Sequence, residues 1–146
     1  MKEAIDILLV EDNDDDVYMI MSVFEESKLL NVTYHVEDGE QALSYLRKEG
    51  EFSTFKTPEL ILLDINMPIK GGFDVLEELK EDNSLKHIPI IILTTSSRKE
   101  DIVKSYGLGA SSYIKKPLDF LHFYEVLQGF EVYWSVVSEI PKDNIL

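Results

Sequence analysis

Cysteine is absent from the 146 residues, which excludes a disulfide framework, a thiolate nucleophile and a cysteine-ligated zinc site. Basic residues are scarce: 14 lysines and arginines stand against 28 aspartates and glutamates, a net charge of -14. Such a balance disfavours a nucleic-acid backbone or an anionic membrane as partner, but accommodates a metal ion or a cationic protein face. Long apolar runs are also missing. The N-terminal "MKEAIDILLV" carries Glu3 and Asp6, and its unbroken apolar stretch, Ile7 to Val10, is too short for a secretion signal or a membrane span. A cytoplasmic protein is the expectation. Internal repeats and low-complexity segments are lacking as well. What remains has globular proportions, with 45% apolar and 10% aromatic residues. The length predicts one domain over residues 1–146, with no room for a separate output domain.

Hydrophobic periodicity alternates along the chain. Ile5 to Val10 reads as a buried strand, and Val17, Ile20, Met21 and Phe24 then fall at helical spacing. Asn31 to Val36 is a second strand, followed by a helix bearing Ala42, Leu43, Tyr45 and Leu46. Leu60 to Asp64 is a third, with a helix carrying Phe73, Val75, Leu76 and Leu79 behind it. Pro89 opens the fourth strand, "IPIIILTT"; a helix from about Arg98 to Tyr106 stops at Gly107. Ser112 to Ile114 is a short fifth strand, and Leu118 to about Val137 a long last helix. Residues 49–59 read as an ordinary surface connection. Five strands alternating with five helices predict a parallel, doubly wound (βα)5 sandwich, whose usual strand order is 2-1-3-4-5. Ligands of such sheets bind beyond the carboxyl ends of strands 1 and 3, where the winding direction switches.

At those ends the sequence places Glu11-Asp12 after strand 1, Asp64 after strand 3, Thr94-Thr95 after strand 4 and Lys115-Lys116-Pro117 after strand 5. Each has an ordinary reading. Asp64 could serve a turn, Thr94 could finish a strand, and Lys116 could be a surface lysine before a proline. Asp14-Asp15-Asp16 reads as a solvated first helical turn, and Ser97 to Glu100 as a capping box. His35, His87 and His122 lack metal-ligand spacing and are assigned no role. Together, however, the strand ends bring three carboxylates, a hydroxyl and a lysine to one edge. Converging carboxylates need a cation or a proton, and an all-oxygen donor set suits Mg2+. The set suits phosphoryl transfer to Asp64.

The segments "LLVEDN", "LILLDINMP", "IIILTT" and "SSYIKKP" resemble the receiver domain of two-component response regulators over nearly the whole chain. That resemblance implies a flavodoxin-like fold and a phosphoryl group accepted on Asp64 from a sensor histidine kinase. It implies Mg2+ held by Glu11, Asp12, Asp64 and the Asn66 backbone carbonyl. Thr94 and Lys116 correspond to the switch hydroxyl and the phosphate-binding lysine, and Tyr113 to the switch aromatic. The intervals from Asp64 to Thr94 and to Lys116 agree with the family. "LVEDNDDD", "LTTSS" and "YWSVVSEIP" are similar to regulators that partner phytochrome-type kinases. Thr95 departs from the small residue common at its position, which bears on how long a phosphoryl group survives.

Three other readings fit the pattern less well. A flavodoxin-like electron carrier needs a phosphate cradle where Glu11 and Asp12 stand. A hydrolase of the haloacid dehalogenase kind places a second aspartate at position 66, which here is Asn66. A receiver-like binding module that is never phosphorylated usually lacks one of the acids, the threonine or the lysine. No enzymatic turnover is expected beyond self-phosphorylation from a donor and self-dephosphorylation. Phe120, Phe123, Tyr124, Phe130, Tyr133 and Trp134 exceed one helical stripe, which predicts a homodimer through helix 5 and strand 5. The resemblance also implies a cis bond between Lys116 and Pro117.

Overall fold

The computed structural model describes residues 4–140. The last part of the C-terminal tail, residues 141–146, and the first three residues lie outside them. The strands are β1 (Ile5–Val10), β2 (Leu30–Val36), β3 (Leu60–Leu63), β4 (Ile90–Thr94) and β5 (Ser112–Lys115). The helices are α1 (Asp14–Glu25), α2 (Gly39–Leu46), α3 (Gly72–Glu81), α4 (Lys99–Gly107) and α5 (Phe120–Val132). All pairings are parallel, and the sheet runs β2-β1-β3-β4-β5. This is the doubly wound, flavodoxin-like arrangement that the alternation of elements predicts.

Central strands covered on both faces lose the apolar-polar alternation and divide their side chains between two cores. Leu60 and Leu62 of β3 join Ile7, Leu9, Phe24 and Phe130 beneath α1 and α5. Ile61 and Leu63 join Leu8, Val10, Val75 and Leu76 beneath α2 and α3. The register Val10↔Leu63 brings the ends of β1 and β3 level, so the residues that follow each strand emerge side by side.

In β2 the parity changes partway. The pairing with β1 slips between Ile7 and Leu8, leaving Thr33 as an extra residue whose hydroxyl donates to the Ile7 carbonyl at 3.2 Å. A one-residue bulge flips every later side chain to the opposite face. Val32 therefore packs with the α1/α5 core, whereas Tyr34 and Val36 pack with the α2/α3 core.

Several expectations need correction. Residues 49–59 are not a plain surface connection: Gly50–Phe52 forms a 3-10 turn, and Phe52 and Phe55 pack on Tyr34 and Tyr45 with ring centroids 5.3–5.7 Å apart. Aromatic surface, not turn chemistry, organises this segment. The capping box at Ser97 does not form. Arg98 occupies the N-cap of α4 without a side-chain bond, and the Ser96 hydroxyl donates to Asp101 at 2.6 Å. α5 starts at Phe120 because Asp119 caps it, accepting from His122 N at 3.3 Å. It ends in a π-helical turn, Tyr133–Val137, closed by Ser138 N donating to Tyr133 O at 2.8 Å. The Lys116–Pro117 bond is trans, not cis; an X-Pro amide is stable in either form, so the resemblance did not decide it.

Candidate functional site

The site is built from the backbone outward. Asp64 N donates to Val10 O at 3.1 Å and Glu11 N to Val36 O at 3.0 Å, which extends the sheet one bond beyond its strands and fixes both acids at the switch point. Gly72 opens α3 against this edge, since a Cβ there would overlap the Asp64 carbonyl. Lys116 is drawn in from the far side by its backbone N, which donates to Thr94 O at 2.6 Å.

Carboxylate oxygens of Glu11, Asp12 and Asp64 all lie within 4.8 Å of one another. Glu11 is 1% exposed and Asp64 7%, while Asp12 is open to solvent. Lys116, 3% exposed, is the cation among them: its ammonium pairs with Glu11 Oε1, with Asp16 Oδ2 at 2.9 Å and with Asp64 Oδ2 at 3.5 Å. Asp64 Oδ1 accepts from Asn66 N at 3.3 Å, and Glu11 Oε2 from Asn13 N at 3.2 Å.

This arrangement is electrostatically unbalanced. Burial, followed by the charge of Asp64, pushes the Glu11 carboxyl up to about 7, against the pull of Lys116. Burial alone would lower Lys116, but Asp64, Glu11 and Asp16 outweigh it and hold the ammonium above its ordinary value. One lysine thus does not neutralise the cluster. The surplus charge and the all-oxygen donor set of Glu11, Asp12 and Asp64 fit a hard divalent cation.

Thr94 is buried at the end of β4, and its hydroxyl accepts from Ser96 N at 3.4 Å. Tyr113 lies in β5, half-buried, and its hydroxyl donates to the Ser96 carbonyl at 2.8 Å. Burial raises the Tyr113 phenol above its ordinary value. The loop after β4 therefore links the hydroxyl residue to the aromatic one. Thr95 is exposed.

Two residues with a place in the site escaped the sequence reading. Asp16, in a run whose sequence reads as a solvated turn, touches Lys116. Asp14 and Asp15 of that run are exposed whereas Asp16 is half-buried, because a helix springing from the switch-point loop has to aim one side of its first turn at the strand ends. His35 sits near the carboxyl end of β2, with Nε2 2.7 Å from the Glu11 carbonyl, so that nitrogen carries a proton and steadies the β1–α1 connection. Its position beside Glu11 follows from the strand order, which was the available signal.

Known proteins share this construction. Response regulator Rcp1 of Synechocystis sp. is 36% identical over 135 residues, 92% of each chain. The phosphorylated cyanobacterial phytochrome response regulator RcpA superposes with a TM-score of 0.89 and 37% identity, over 95% of this chain and 99% of its own. The Mn2+-bound form of Rcp1 superposes at 0.86 with 34% identity, over 94% of this chain and 99% of its own. Residues 7–128 match the family model of the response regulator receiver domain, and the chain belongs to that family.

Proposed function

We propose that this receiver accepts a phosphoryl group on Asp64 from a phosphohistidine of a sensor histidine kinase. An Asp64 carboxylate oxygen attacks phosphorus, the P–N bond breaks, and the imidazole departs with the electron pair. The observation that carries the reading is one buried lysine shared by the buried carboxylates of Glu11 and Asp64 at the sheet's switch point. Such a carboxylate repels an incoming phosphate unless positive charge stands ready, and Lys116 supplies part of it. Mg2+ bound by Glu11, Asp12, Asp64 and the Asn66 carbonyl would supply the rest. Thr94, at the adjacent strand end, is the hydroxyl assigned to a phosphoryl oxygen.

The output is a change of surface. Thr94 moves toward the phosphoryl group, the β4–α4 loop follows, and Tyr113 loses its present acceptor on Ser96, altering the α4-β5-α5 face. A phytochrome-type kinase as donor is supported by the likeness to RcpA, a phytochrome response regulator. A homodimer through α5 and β5 belongs to the same reading. Phe123 and Phe130 are core, but Leu121, Val132, Tyr133 and Val136 of the same helical run are exposed. A cytoplasmic location and a single-domain regulator acting by contact complete it; no helix among the described residues is long and apolar enough to cross a membrane.

Incubation with acetyl phosphate and Mg2+ followed by intact mass measurement tests the central step. One added phosphoryl group is expected, absent in Asp64→Asn and absent with EDTA. A persistent adduct in Asp64→Asn would refute the assignment. Sedimentation at high concentration, with and without the donor, tests the dimer, which a monomer under both conditions would exclude.

A further inference from the structure

We infer that Asp16 is a positioning residue that holds the Lys116 ammonium off Asp64 until a phosphoryl group is present there. This rests on the receiver reading above and adds a residue outside its site. Asp16 Oδ2 lies 2.9 Å from Lys116 Nζ, and Asp64 Oδ2 lies 3.5 Å from it. An ammonium has three protons to donate, and the longest of its three contacts is with the acceptor it is meant to serve. Glu11 and Asp16 occupy it first.

The two competitors are not equivalent. Glu11 is enclosed, and losing Lys116 would leave a buried carboxylate uncompensated. Asp16 has a side chain 23% exposed and stands in the first turn of α1, where the helix N-terminus favours negative charge. Its backbone N–H is already satisfied by Asn13 Oδ1 at 3.0 Å. Water and the helix end therefore sustain the Asp16 carboxylate after the lysine leaves. Asp16 is the partner that Lys116 can abandon at small cost. A singly charged Asp64 carboxylate does not draw the ammonium away, but a phosphoryl group with nearly two charges and three acceptor oxygens does.

Removing the Asp16 charge should free Lys116 for the phosphoryl group. The probe is beryllium trifluoride, a phosphoryl mimic, titrated at saturating Mg2+ into wild type, Asp16→Asn and Asp16→Glu. Asp16→Asn is expected to bind it about fivefold tighter, the scale of one partly exposed ion pair removed from competition. Asp16→Glu, which keeps the charge, should return to the wild-type affinity. Thermal unfolding gives a second readout. Asp16→Asn should lower the midpoint of the metal-free protein while leaving that of the mimic-loaded protein near wild type. A merely structural role would lower both. Equal or weaker binding by a folded Asp16→Asn overturns the inference alone; Asp16→Ser serves the same comparison if the first variant does not fold. A wild type that binds no mimic overturns both the receiver reading and this inference.

Discussion

Replacing Glu11 by glutamine should stabilise the metal-free protein, although Glu11 stands at the centre of the proposed site. An ordinary glutamate titrates near 4.5, and in the folded chain burial and Asp64 raise Glu11 to about 7. Between those values the folded state holds a proton that the unfolded chain has released, so stability falls as pH rises from 4.5 to about 7 and the loss is complete above it. At about 1.4 kcal/mol per pH step, ionised Glu11 costs the fold about 3 kcal/mol at pH 8. Glutamine mimics the protonated form. Glu11→Gln should therefore be more stable than wild type at pH 8 by about 3 kcal/mol, or about 10 °C in melting temperature for a domain of this size. The gap should close toward pH 4.5. Urea denaturation of both proteins in EDTA from pH 4.5 to 8 measures it. Because a cation competes with that proton, wild-type Mg2+ affinity should also rise through pH 7. Parallel stability profiles, or a Glu11→Gln protein less stable at pH 8, would refute the reasoning.

Lys116→Met removes the charge shared by Glu11, Asp16 and Asp64 and should cost about 3–5 kcal/mol in EDTA, with partial recovery in Mg2+; urea unfolding with and without the metal measures it. Ile69 adopts φ 66° while 82% exposed, so its backbone carries left-handed strain with little packing in return. Ile69→Asn should stabilise by about 1 kcal/mol, read as a higher melting temperature. Gly72→Ala forces a methyl group into the Asp64 carbonyl and should lower both the melting temperature and phosphoryl uptake from acetyl phosphate.

The strands and their order were legible because both faces of the sheet are covered: runs such as Leu60–Leu63 leave no other reading, and alternation with helices imposes parallel pairing. The convergence of Glu11, Asp12, Asp64 and Lys116 followed from the order alone. What stayed hidden depended on single residues out of register. The extra Thr33 in β2 leaves no trace in a pattern of β-branched residues, yet it moves Tyr34 onto the other face, where Phe52 and Phe55 then order the following connection. Asp16 was hidden because three consecutive aspartates look alike in sequence, and only the rise of α1 from the switch-point loop selects one of them for Lys116. The trans Lys116–Pro117 bond is not legible in the sequence because likeness of motif does not set the isomer of an X-Pro amide.

The close of α5 has a spectroscopic consequence. Trp134 is the sole tryptophan, with its ring 6.3 Å from Phe130 and 5.1 Å from Tyr133, and it lines a groove of about 330 Å3 against Ser112 and Ile114 of β5. Excitation at the red edge therefore isolates one indole at the α5–β5 seam, remote in sequence and role from the carboxylate cluster. Its emission is a native optical probe of that seam, so a second copy covering the groove would announce itself as a blue shift without any label being attached.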